Sequence, residues 1–108
     1  MSAYIIYNYN ILDRSRIEEL SQLSMPLLEK HKVEVMVGSP VKPLEGSTFG
    51  GMVIYKFDSF EAAELFYYSK EHQELSVLRK EITEGFVTIV PGDSETQKLV
   101  DSGYFDNK

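Results

Sequence analysis

The stretch FDSFEAAELFYYSKEHQELSVLR, Phe57 to Arg79, constrains the fold more than any other part of the chain. It opens with helix-start chemistry: Asp58 or Ser59 can accept backbone N–H bonds, and Asp58 with Glu61 three residues on has capping-box spacing. Ala62, Ala63, Phe66 and Tyr67 then share one side of a helix, and the two alanines let that side approach a sheet closely. Ser69 is a second capping residue, so a bend or restart is expected there before Leu75, Leu78 and Ile82 continue the apolar stripe. Strand-like runs flank the helix: MVIYKF (Met52 to Phe57) before it and FVTIV (Phe86 to Val90) after it. Gly85 serves as the helix stop, and Pro91 and Gly92 close the last strand.

The rest of the chain completes a regular alternation. AYIIYNY (Ala3 to Tyr9) is aromatic and β-branched, and reads as a first strand leading to a cap at Asp13. Ile17, Leu20, Leu23, Leu27 and Leu28 recur at helical spacing. Pro26 lacks an N–H, which predicts a kink near Gln22 to Met25 or a break, with the helix resuming through Lys32. Val33 to Val37 reads as a second strand, bulged or at a sheet edge because Pro40 and Pro43 follow. LEGSTFGG (Leu44 to Gly51) holds three of the seven glycines but is turn chemistry, since no P-loop lysine and no helix follow it directly. The order β-α-β-β-α-β is that of a ferredoxin-like α+β domain with an antiparallel sheet. That domain is assigned to residues 1–92. Residues 93–108 form a C-terminal tail in which the spacing of Ser94 and Gln97 and the stop at Gly103 support a short helix over Glu95 to Asp101.

Composition excludes several classes. With 108 residues the chain is one domain, and with no cysteine it has no disulfide, thiolate metal site or cysteine nucleophile. A formal charge of −6 without a basic stripe argues against nucleic acid. MSAYIIYNYN has no signal-peptide pattern, and no run approaches the ~20 apolar residues of a membrane span, so a cytoplasmic protein without membrane contact is expected. The strands carry apolar residues on both parities. Ile5, Tyr7, Tyr9, Val53, Tyr55 and Phe57 stand on one, and Tyr4, Ile6, Met52, Ile54, Val87 and Ile89 on the other. An antiparallel sheet with a wet face should alternate, so a second copy packed sheet on sheet is expected to cover the spare face, giving a homodimer.

These residues resemble an uncharacterised bacterial domain-of-unknown-function family within the dimeric α/β-barrel superfamily. The resemblance covers about Ala3 to Gly92. It rests on AYIIYNYNILD, a proline followed by LLEKH, LEG at Leu44 to Gly46, the pattern from Phe57 to Arg79, and the closing IVPG. Lys32 and Val33 stand where such proteins tend to have a Gly-Gly, Val37 replaces an arginine, Lys56 an acidic residue, His72 a tyrosine and Pro91 a glutamate. The resemblance implies a dimeric α/β barrel. Relatives in the wider superfamily include cofactor-independent monooxygenases, isomerases and haem-degrading enzymes, and the fold does not choose among them.

The candidate site residues are Tyr7, Asn8, Glu45, Lys56, Tyr67, Ser69, His72 and Arg79. His72 has the pKa range of a general acid or base, and a continuous helix would put Ser69, His72 and Arg79 on one side; the plain alternative is a cap and two surface groups. The tyrosines offer apolar bodies with polar tips, suited either to a flat organic ligand or to ordinary packing. Asn8 and Lys56 interrupt an apolar parity, marking a wet pocket or a solvated edge, and Glu45 is a ligand acid or a loop residue. His31 suits a helix C-terminus, where a cation meets the dipole favourably. No H-x-x-x-H or H-E-x-x-H spacing occurs, so neither a metal nor a cofactor is expected. The functional expectation is a small organic ligand between sheet and helices. A monooxygenase- or isomerase-like enzyme and a purely structural or interaction dimer remain the alternatives, and whether the protein is an enzyme stays open.

Overall fold

The computed structural model describes residues 2–106. Four antiparallel strands, β1 (Ala3–Ile11), β2 (Glu34–Pro40), β3 (Gly51–Phe57) and β4 (Thr83–Pro91), lie in the order β2-β3-β1-β4. Helices α1 (Ile17–Lys30), α2 (Phe60–Tyr68) and α3 (Lys70–Ile82) connect them, and α4 (Asp93–Asp101) follows β4. This is the ferredoxin-like α+β arrangement. The expected barrel is not there: the sheet is open, with β2 and β4 at its edges, and four strands are too few to close on themselves.

Register decides which residues face the helices. Ala3, Ile5 and Tyr7 of β1 are buried and sit opposite Phe57, Tyr55 and Val53 of β3 and opposite Pro91, Ile89 and Val87 of β4. Val87 and Ile89 therefore belong to the inner side, not to the outer side expected from sequence. On the outer side, Tyr4, Ile6 and Ile54 are joined instead by Phe86, Thr88 and Val90, and Phe86 is 64% exposed. The register of β2 shifts between Val35 and Val37, a bulge on an edge strand.

Helix ends follow their caps with several departures. Asp13 accepts from the Ser15 N–H and caps a single 3-10 turn, Arg14–Arg16, rather than α1 itself. α1 continues through Pro26 without a break and ends at Lys30, where the His31 N–H bonds back to Leu27 and Lys32 takes the left-handed φ of 54°. Ser59 caps α2 by accepting from the Ala62 N–H, and Ser69 restarts the chain as α3 by accepting from the His72 N–H. Gly85 does not stop a helix: α3 ends at Ile82 and Gly85 lies inside β4. In the tail α4 starts earlier than the spacing of Ser94 suggests, with Gly92 as its N-cap; the last two tail residues fall outside the described range. Its Glu95 carboxylate accepts from the Phe60 N–H at 2.9 Å, which ties the tail to the start of α2.

Phe66 is the centre of the core. It lies 5.2 Å from the Phe57 ring, 6.0 Å from Tyr55, 4.9 Å from His72 and 5.4 Å from His31, and is itself almost wholly buried.

Candidate functional site

The inner side of the sheet and helix α1 do not close completely on one another. Between them lies a cleft of about 340 Å³, at the small end of the range that holds organic ligands. Its sheet wall carries Tyr7, Tyr9 and Tyr55, its α1 wall Leu20, Leu27 and Leu28, and α3 contributes His72, Leu75 and Arg79.

Four polar side chains are linked at this cleft. The Tyr7 hydroxyl is 2.9 Å from His72 Nε2, Ser76 Oγ is 3.4 Å from His72 Nδ1, and Arg79 Nη2 donates to Ser76 Oγ at 3.2 Å. The Arg79 guanidinium also stands over the Tyr7 ring, 5.6 Å from its centroid. His72 is completely shielded from solvent. Burial, reinforced by the positive charge of Arg79 and only partly opposed by the Tyr67 carbonyl, lowers its pKa to about 4, so the ring is neutral at pH 7. Burial, with Tyr55 adding to it and Arg79 opposing, pushes the Tyr7 phenol far above its ordinary range. The Tyr7 phenol stays protonated at pH 7, so its hydroxyl and the neutral imidazole share one hydrogen bond at Nε2. The Tyr55 phenol is raised too, again by burial first.

Arg79 is the exception to this satisfied network. Its Nε is buried with no hydrogen-bond partner, and none of the ion pairs among the described residues includes it. Among the described residues no aspartate or glutamate lines the cleft. A neutral imidazole joined to a phenol can pass a proton, and an unpaired guanidinium can hold an anion.

Of the residues singled out in the sequence, the structure brings Tyr7, Asn8, His72 and Arg79 to the cleft. Asn8 reaches it from the outer parity of β1, while its amide is engaged elsewhere, donating to Gly51 O at 2.8 Å and Phe49 O at 3.2 Å and accepting from Thr48 Oγ1. Glu45 is exposed in the loop before β3, Lys56 stands on the outer parity opposite Tyr4, Tyr67 packs beside His72 outside the cleft lining, and Ser69 is spent on its cap. Ser76, which is not among them, has a signal legible in the sequence: it lies four residues after His72 and three before Arg79, which on a helix is one side. Among the described residues no group of three potential ligands is placed to hold a metal, and no helix is long and apolar enough to cross a membrane.

A family model described as a domain of unknown function, DUF1330, matches residues 2–93. The chain belongs to the DUF1330 family. No curated protein matches its sequence. Among solved structures, this DUF1330 chain is similar to a protein of unknown function from Rhodopseudomonas palustris, at 10% identity and a TM-score of 0.60 over 83% of this chain and 81% of that one. A dimeric ferredoxin-like protein of unknown function from Thermobifida fusca aligns at 9% identity with a TM-score of 0.55, over 84% and 91% of the two chains. A hydroxynitrile lyase from Passiflora edulis aligns at 15% identity with a TM-score of 0.58, over 83% and 91%. At such identities the likeness is one of fold alone. The resemblance read from the sequence is thereby corrected to an uncharacterised DUF family of ferredoxin-like type, with an open sheet in place of a barrel.

Proposed function

We propose that this DUF1330 protein binds a small organic molecule in the cleft between α1 and the sheet, and that it does so as a homodimer. One observation carries the ligand reading: a solvent-free, neutral His72 hydrogen-bonded to Tyr7 at the wall of a mainly apolar cleft. Packing alone is served better by an apolar side chain there, because burying an imidazole sacrifices hydration that its hydrogen bonds only offset. The dimer reading rests on the outer side of the sheet, where Ile6 pairs with Ile54 and Phe86, Val90 and Val37 remain exposed around them. The Thermobifida neighbour is itself described as dimeric, which fits this reading.

Mass spectrometry of the protein released from native conditions tests the first half, through a retained small molecule that His72→Phe loses; a clean wild-type spectrum, together with no binding from a small-molecule library, rejects it. Sedimentation at micromolar concentration tests the second. A dimer that Ile54→Lys converts to a folded monomer is expected, and a wild-type monomer rejects the homodimer.

The 2.9 Å Tyr7–His72 contact favours a second reading, acid–base catalysis, since the ring is an unprotonated base at pH 7. A generic carbon-acid probe, nitrobenzisoxazole, reports a base in an apolar cleft by its coloured ring-opened product. A wild-type rate no higher than that of His72→Gln rules catalysis by this dyad out.

A further inference from the structure

Resting on the reading of the cleft as a ligand site, we infer that its ligand is a monocarboxylate with an apolar body, its carboxylate seated on Arg79 and its body between the α1 leucines and the sheet tyrosines.

Charge and hydrogen-bond capacity lead to this class. Among the described residues Arg79 is the one formally charged side chain lining the cleft, because their lining holds no aspartate, glutamate or lysine. Of its donors, Nη2 serves Ser76 and Nε is buried without a partner. A guanidinium in a low-dielectric wall without a counter-charge is costly, and a planar carboxylate answers it with two parallel charge-assisted hydrogen bonds. An amine would meet a like charge at Arg79, and an alcohol would satisfy one donor without neutralising the cation. The remaining polar groups do not compete for the site. Tyr7, His72 and Ser76 already satisfy one another, and His72 adds no second positive charge at pH 7.

The body of the ligand follows from the walls. Leu20, Leu27 and Leu28 face Tyr7, Tyr9 and Tyr55 across a gap of about 340 Å³, which suits a short acyl chain or a single ring and offers the many hydroxyls of a sugar or nucleotide few partners. A dianion is disfavoured because one guanidinium would leave a second negative charge unpaired among apolar atoms.

The test uses the full-length wild-type protein with three probes of one chain length: octanoate, octan-1-ol and octylamine. Backbone amide shifts in two-dimensional NMR locate each probe and give its affinity. Octanoate is expected to perturb Tyr7, Ser24, His72 and Arg79 and to bind about tenfold or more tighter than the alcohol, the size of one charge-assisted pair. Arg79→Gln should abolish that preference by weakening octanoate about tenfold more than the alcohol. If all three probes bind in the cleft equally, the carboxylate class is overturned and the ligand site stands. If none binds there, the carboxylate class is overturned and the ligand-site reading loses its support as well. The wild-type comparison decides the matter even if Arg79→Gln does not fold; Arg79→Lys, which keeps the charge but loses the fork, should then retain part of the preference.

Discussion

Lowering the pH from 7 to 4 should destabilise the protein through His72 in a way that a single substitution isolates. The ring has a pKa of about 4 in the folded chain, against about 6.5 for an unperturbed histidine. Its folded value is depressed, so between the two pKa values the unfolded chain binds a proton that the folded chain refuses. The stability conferred by keeping the ring neutral is complete above pH ~6.5, is lost as pH falls, and is gone below pH ~4. The gap corresponds to at most about 3 kcal/mol, and water entering the adjacent cleft reduces it to about 1–2 kcal/mol. Urea unfolding at pH 7, 6, 5 and 4, at one fixed protein concentration, should be run on wild type and His72→Gln, whose amide can still accept from Tyr7. Asp13 and Glu71, held below the ordinary carboxylate range by their hydrogen bonds from Ser15 and Lys30, lose stabilisation in both proteins and cancel in the difference. The wild type should lose about 1–2 kcal/mol more than the variant across this window, or about 0.5–1 M in urea midpoint at an m-value of about 2 kcal/mol/M. Parallel curves with a constant offset would show that the buried ring does not resist protonation and would refute the electrostatic account of the cleft.

Three further outcomes follow from named contacts. Gly85→Ala puts a Cβ 2.0 Å from Asn8 O at a φ of +153°, and should cost more than about 3 kcal/mol or prevent folding, read by circular dichroism and urea unfolding. Phe66→Ala empties the space among Phe57, Tyr55, His72 and His31 and should cost about 3–5 kcal/mol, with a midpoint shift at unchanged m-value as the check. Ser69→Ala removes the side-chain acceptor of the His72 N–H and should cost about 1 kcal/mol, with faster hydrogen exchange confined to the first turn of α3.

What was legible in the sequence was what local chemistry specifies. The restart at Ser69, a cap at Asp58 or Ser59, of which the structure uses Ser59, and the βαββαβ order were visible because caps and periodicity act within a few residues. The failures come from non-local registration. Val87 and Ile89 were placed on the wrong side because the phase of β4 is set by its pairing with β1, and Phe86, Thr88 and Val90 form an equally apolar alternative. Gly85 was read as a helix stop because a glycine after an apolar stripe has that meaning locally, whereas here it admits a neighbouring strand. The barrel was expected from resemblance alone, whereas the sheet is open with β2 and β4 at its edges. Candidate chemistry was half legible for the same reason: His72 and Arg79 lie seven residues apart on one helix, but Tyr7 meets His72 across 65 residues of sequence.

The site depends on strand phase as much as on polar residues. β1 is paired on both sides, and its neighbouring residues do different work: the Tyr7 hydroxyl reaches His72 in the cleft, while the Asn8 amide holds the loop at Phe49 and Gly51. A strand has a side-chain period of two, so a slip of one residue would exchange them, putting an amide against His72 and a phenol at the loop. Two glycines oppose that slip. At Gly85 the backbone of β4 comes so close to Asn8 and Tyr9 that no side chain fits, and at Gly51 the Tyr9 ring occupies the space a Cβ would need. Both glycines stand opposite Tyr9, one on each flank. Neither offers a functional group, yet together they fix the phase in which Tyr7 faces inward, so any chemistry at His72 and Arg79 is specified in part by residues without side chains.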